Sequence, residues 1–199
     1  MKKLICITGM DGVGKSTLVK SLAKELSSVH VANIWDIMNG GIENIPFGSQ
    51  KDVDEYLCAL TPGSRLLFLA HALKYSIDSA MKSDKKIILL DGYYYKYFST
   101  ELVLGAPEDL VFSIVKEFPI PNLVINLNLS IELTLKRKEF FSRYESGLSI
   151  HPDKNNFEKF QKEALKKWEY FDRTGWYVIN SSSTADELLQ ETLQIIKQQ

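Results

Sequence analysis

Short, wholly apolar runs alternate along the chain with longer stretches in which apolar residues recur every three or four positions. The alternation predicts strands and helices in turn, an α/β fold built on a mostly parallel sheet covered on both faces. Residues 2–8 predict a strand, 15–27 a helix and 29–35 a second strand. Over 64–82, Leu66, Leu67, Leu69, Ala70, Leu73, Ile77 and Ala80 keep helical spacing just after Pro62-Gly63. Residues 86–91 predict a short strand buried on both faces that ends in the carboxylate of Asp91.

The second half repeats the pattern. A short helix is predicted over 107–118, a strand over 122–129, and a helix capped by Ser130 that runs to about Phe140. A long helix over 155–171 and a strand over 176–180 follow, and Thr184-Ala-Asp-Glu187 reads as a capping box opening the last helix. Two stretches break the rhythm. Residues 38–49 form a loop rich in turn residues, long enough to be functional, and the charged, aromatic segment 136–156 is expected to be a lid. The absence of repeats and low-complexity tracts, with the length of 199 residues, favours a single domain over 1–199.

The strongest chemical signal is Gly9-Met10-Asp11-Gly12-Val13-Gly14-Lys15-Ser16-Thr17, which follows the first apolar run and fits G-x-x-x-x-G-K-[ST]. Glycines let backbone N–H groups converge on phosphate oxygens, and the helix that follows turns its positive end toward the same anion. Lys15 adds a cation for the β- and γ-phosphates of ATP. Ser16 offers a hydroxyl to Mg2+, a hard cation that prefers oxygen ligands and keeps several waters. Asp91, at the carboxyl end of a central strand, stands where ligands gather in open α/β sheets; it is expected to organise the metal's water shell or to accept a proton.

Charge and cysteine content narrow the classes of partner. With 24 basic and 25 acidic residues the formal charge is -1, which provides no bulk field for nucleic acid or acidic membranes. Cys6 and Cys58 lie in apolar surroundings without metal-ligand spacing, as expected in a reducing cytoplasm. The first apolar run is too short for a secretory signal and no run approaches membrane-spanning length, so neither leader nor membrane partner is expected. His30, His71 and His151 show no ligand spacing.

The order of the glycine loop at 9–17, Arg65-Leu-Leu-Phe-Leu-Ala70, Ile-Ile-Leu-Leu-Asp91 followed by tyrosines, then a basic helix and lid, resembles the thymidylate kinase family across nearly the whole chain. The resemblance implies ATP-dependent transfer of the γ-phosphoryl group to a nucleoside or nucleotide acceptor, a five-stranded parallel sheet and a homodimer. It implies that Asp11 orients the acceptor or a metal water, although bonding to loop N–H groups is the alternative role. It also implies that Arg137 and Arg143 lie over the donor phosphates, and that Phe68 stacks on the acceptor base. Trp35, Tyr94 and Tyr97, with Tyr93 and Tyr95, crowd the same presumed side, where aromatic faces can hold a flat ring.

Departures from the family are as specific as the matches. Thymidylate kinases typically follow the strand-end Asp with Arg; here Gly92 stands there, Ala72 occupies the place of a base-binding Arg, and Trp35-Asp36 replaces an Arg after the second strand. Lys96 and Arg65 are the candidate substitutes for these acceptor cations, though Lys is not equivalent to a bidentate Arg. Asp36 resembles the carboxylate that takes the hydroxyl proton in deoxynucleoside kinases, and a helix cap is its other reading. Three classes therefore stay open: a nucleotide or nucleoside kinase, a nucleotide-binding protein without turnover, and a kinase acting within nucleic acid, the last disfavoured by the near-neutral charge.

Overall fold

The computed structural model describes residues 2–39 and 47–199. Within them five parallel strands, β1 (Lys3–Gly9), β2 (Val29–Asn33), β3 (Ile87–Asp91), β4 (Leu123–Asn128) and β5 (Tyr177–Asn180), make one sheet in the order β2-β3-β1-β4-β5. The helices are α1 (Lys15–Glu25), α2 (Asp36–Asn39), α3 (Gln50–Ala59), α4 (Pro62–Lys82), α5 (Tyr94–Val103), α6 (Glu108–Val115), α7 (Ile131–Arg137), α8 (Lys154–Lys167) and α9 (Ala185–Gln198), with 3-10 turns at Tyr144–Ser146 and Trp168–Tyr170.

The apolar runs are continuous because the central strands bury both faces. Leu4 and Cys6 of β1, with Ile88 and Leu90 of β3, pack into a core shared with Leu66, Leu69 and Leu73 of α4. Ile5 and Ile7 point the other way, with Leu89 and Ile125, against Leu18 and Leu22 of α1 and Leu193 and Ile196 of α9. Each such Leu or Ile contributes about 1.5–3 kcal/mol by leaving water. The register then fixes the chemistry. Ile7 and Asn33 both pair with Asp91, so β1, β2 and β3 end at one edge and carry the glycine loop, Asn33 and Asp91 to the same side.

Several boundaries differ from the sequence-based expectation for local reasons. β2 ends at Asn33 rather than 35 because the Asn33 side chain accepts from the N–H of Trp35 (2.9 Å) and starts a turn. α7 stops at Arg137, where Lys138 turns extended. The helix expected over 155–171 is α8 followed by a 3-10 turn. α5 was not expected: its tyrosines form a helix buried nearly all round, which hides the helical stripe. Of the loop expected over 38–49, residues 40–46 lie outside the described residues.

Candidate active site

Between β1 and α1 the chain builds an anion cradle. Gly14 caps α1 without a side-chain hydrogen bond, which leaves the helix's first amides for a ligand. A Cβ on Gly9 would sit 2.6 Å from the Leu127 carbonyl oxygen, so only glycine lets the loop leave the sheet this way. Lys15 folds back over the loop and donates to the Met10 carbonyl (2.6 Å). Burial, reinforced by the neighbouring Lys96, lowers the Lys15 ammonium to about 8.

A cleft of about 400 Å3 opens in front of the cradle, lined by Asp11, Lys15, Ser16, Asn33, Asp91 and Lys96 among others. Asp91 accepts from Asn33 Nδ2 (2.9 Å) and is nearly buried. Asp11 lies between two ammonium groups, 2.5 Å from Lys96 Nζ and 3.8 Å from that of Lys15. Burial alone would raise the Asp11 carboxyl, but Lys96 and then Lys15 outweigh it and hold it below the usual carboxylate range. On the other side of the loop a groove of about 460 Å3 runs past Gly12, Val13, Thr17 and Arg137. There the Arg137 guanidinium donates to the Ser181 carbonyl (2.9 Å).

A second, narrow cavity of about 70 Å3 adjoins the cleft, walled by Trp35, Leu57, Phe68, Ala72 and Tyr97. Trp35, Lys96, Tyr97 and Glu145 line both spaces, so the apolar cavity and the phosphate cleft meet at these four side chains. Glu145 comes from the 3-10 turn in the segment 136–156 and pairs with Lys138 (2.9 Å). Tyr144 beside it donates its hydroxyl to Glu101 Oε1 (2.8 Å).

The structure gathers the residues of the glycine loop with Asp91, Trp35, Phe68 and Tyr97, and it sets four other candidates apart. Arg65 is 1 % exposed and bonded to Glu101 and to the Leu57 and Leu60 carbonyls, and it lines neither space, so its charge is spent on the core. Tyr94 is buried against Tyr93, Tyr95 and Phe98 on the far side of α5, as packing rather than a ligand. Asp36, at the start of α2, accepts from the Asn33 N–H (2.9 Å) and the Ser76 hydroxyl (2.5 Å), and lines neither space. Arg143 Nε donates to the Ser149 carbonyl (3.3 Å) and also lies outside both.

Asn33, Gln50 and Glu145 were missed. Asn33 was hidden by placing the strand end two residues late, and Gln50 opens α3, a helix expected around Cys58 but without bounds. Only the position of Glu145 inside the expected lid signalled it. Among the described residues no group of three or more His, Cys, Asp or Glu could hold a metal unaided. The hard oxygens of Ser16 and Asp91 on one cleft instead suit Mg2+ that arrives largely ligated by phosphates. Cys6 is buried and Cys58 half-buried, both as free thiols. No helix among the described residues is long and apolar enough to cross a membrane.

Sheet order, glycine loop and helices on both faces define a P-loop kinase fold. The chain is similar over 99% of its length to a probable thymidylate kinase 1 of Saccharolobus solfataricus, with 28% identity and 98% of the relative covered. A thymidylate kinase of Brachyspira hyodysenteriae is 26% identical over 98% of the chain and 94% of its own length. A solved thymidylate kinase structure from Candida albicans shares the fold with a TM-score of 0.71 at 17% identity, over 99% of this chain and 92% of that one. No family model matches the chain. The chain is thus similar over nearly its whole length to proteins named thymidylate kinases, and it shares the fold of a solved one.

Proposed function

We propose that the chain is an ATP-dependent nucleotide kinase that moves the γ-phosphoryl group of ATP to the phosphate of a nucleoside monophosphate, as thymidylate kinases do with thymidylate. The observation that carries this reading is the junction of the two spaces. A phosphate cradle and an aromatic cavity share Trp35, Lys96, Tyr97 and Glu145 in their linings, which places donor and acceptor sites side by side at Lys96.

Phosphoryl transfer passes through a loose transition state with charge spread over oxygens, so catalysis is mostly positioning plus cationic stabilisation. The loop amides and Lys15 hold the β- and γ-phosphates, and Arg137 flanks the donor groove. An oxygen of the acceptor phosphate bonds to the γ-phosphorus as the bond to the β,γ-bridging oxygen breaks, and ADP leaves with that electron pair. Asp91, fixed by Asn33, and the Ser16 hydroxyl would hold Mg2+, which supplies charge neutralisation on the phosphates when bound. Trp35, Phe68 and Tyr97 give the acceptor ring apolar and stacking surface. The segment 136–156 brings Glu145 to the cleft and serves as the lid that excludes water.

The test is ADP release with ATP, Mg2+ and a panel of nucleosides and nucleoside monophosphates. Turnover with a monophosphate that is abolished by Lys15→Ala is expected. ATP binding without ADP release for any acceptor would leave a nucleotide-binding protein instead.

A further inference from the structure

Lys96 stands where the cleft and the apolar cavity meet, on the first turn of α5 and five residues after Asp91. Its side chain is 15% exposed, and among the described residues Asp11 is the one carboxylate it pairs with. An ammonium has three N–H donors and one satisfies Asp11, so two remain for oxygens in the cleft. The nearby Glu145 is matched by Lys138 at 2.9 Å and Asp91 is bonded by Asn33, so neither consumes Lys96. Lys96 also lies over the Tyr97 ring, 4.7 Å from its centroid, which holds the long side chain in place.

Position 92 is strained for any residue that could carry a cation. Gly92 has φ +76, in the left-handed region that favours glycine, and a Cβ there would point at the Tyr97 ring and hydroxyl, 3.6 Å away. A side chain at 92 would start in contact with Tyr97, while the preceding residue of the same helix supplies the charge. Arg65 is sealed in its pair with Glu101. Lys96 and Lys15 are then the basic side chains lining the cleft, and Lys15 belongs to the loop that takes the donor.

We infer that Lys96 is the residue that holds the acceptor's phosphate, which makes the acceptor a phosphate monoester carried by a flat ring rather than a neutral alcohol. Asp11 is its resting partner, and the incoming monoester shares or takes over the ammonium. A lysine is a compact point charge with rotatable donors, so this grip is less directional than a bidentate arginine and tolerates variation in the group attached to the phosphate.

This inference rests on the kinase reading of the same cleft, and its test separates the two. Steady-state kinetics with thymidine monophosphate and with thymidine are compared for the wild type, Lys96→Met and Lys96→Arg, beside calorimetric titration of a non-hydrolysable ATP analogue and of thymidine monophosphate alone. Lys96→Met is expected to raise KM for the monophosphate at least about 30-fold with a smaller change in kcat, to leave the analogue's Kd within about threefold, and to be partly rescued in Lys96→Arg. The double variant Asp11→Asn/Lys96→Met, which leaves no unpaired carboxylate at 11, guards against misfolding, and it should bind the analogue yet still lose the monophosphate.

Unchanged acceptor KM with a tenfold loss of analogue affinity would assign Lys96 to the donor and overturn the inference. A wild-type preference for thymidine over its monophosphate would do the same. If the wild type turns over no acceptor, the kinase reading fails by itself; the titration of thymidine monophosphate still decides, since equal affinity for wild type and Lys96→Met overturns the assignment of Lys96.

Discussion

Arg65 and Glu101 form an ion pair across α4 and α5, Nε to Oε2 at 2.8 Å, with 1% and 0% of their side chains exposed. Tyr144 adds its hydroxyl to the same carboxylate, which ties the expected lid to the core. Removing one member leaves a buried charge without its partner, so Arg65→Met is expected to destabilise the fold by about 3–5 kcal/mol in urea unfolding. Replacement without loss of stability would mean that the pair opens in solution.

Glu101 also predicts a pH dependence. Burial pushes its carboxyl up to about 7, against the pull of Arg65 and of the Tyr144 hydroxyl. The folded value lies above the unfolded one, so the native state binds more protons between them. The contribution is fully present below the unfolded value and is lost as pH rises through about 7. Unfolding measured at pH 5 and pH 8 should show a larger loss for the wild type than for Glu101→Gln; parallel losses would refute the assignment.

Lys15 should make ATP binding pH-dependent in a defined window. Its ammonium is lowered to about 8, chiefly by burial and then by Lys96. Below that value the cation is already present, whereas above it binding must first take up a proton. Affinity for an ATP analogue is therefore expected to weaken by up to about tenfold per pH unit above 8, with a flat profile in Lys15→Arg. Calorimetry across pH 7 to 9.5 reads this directly, and a flat wild-type curve would contradict it.

Asp91 is held by Asn33 and lines the cleft in front of the loop. Asp91→Asn should lower kcat by about 100-fold or more while the analogue's Kd moves by less than about tenfold. Equal losses in both would place Asp91 in donor binding rather than in the transfer step.

Gly92→Arg restores a residue typical of thymidylate kinases and is nonetheless expected to fail. The left-handed backbone costs a side chain about 1–2 kcal/mol, and its Cβ would already touch the Tyr97 ring. A lower melting temperature without a gain in kcat/KM for thymidylate is the expected result. A tenfold gain would show that Tyr97 yields.

The parallel sheet and the cradle were legible in the chain because both rest on local rules. Apolar runs such as Leu4 to Ile7 announce doubly covered strands, and the spacing from Gly9 to Ser16 is dictated by phosphate geometry. What stayed hidden depends on tertiary partners. Arg65 looks like a free cation until α5 brings Glu101 against it. Tyr94 and Tyr97 look equivalent in a run of aromatics, and only the helical turn of α5 sends one into packing and the other into the cleft. Lys96 could be suspected from the missing arginines, but its place between two cavities follows from that same helix.

The most direct test incubates the protein with γ-labelled ATP, Mg2+ and thymidine monophosphate and follows the label. Transfer to the monophosphate, giving a labelled nucleoside diphosphate with stoichiometric ADP, is expected, and Lys15→Ala should abolish it. ATP that binds but keeps its label with every nucleoside and nucleotide offered would contradict phosphoryl transfer at this cleft.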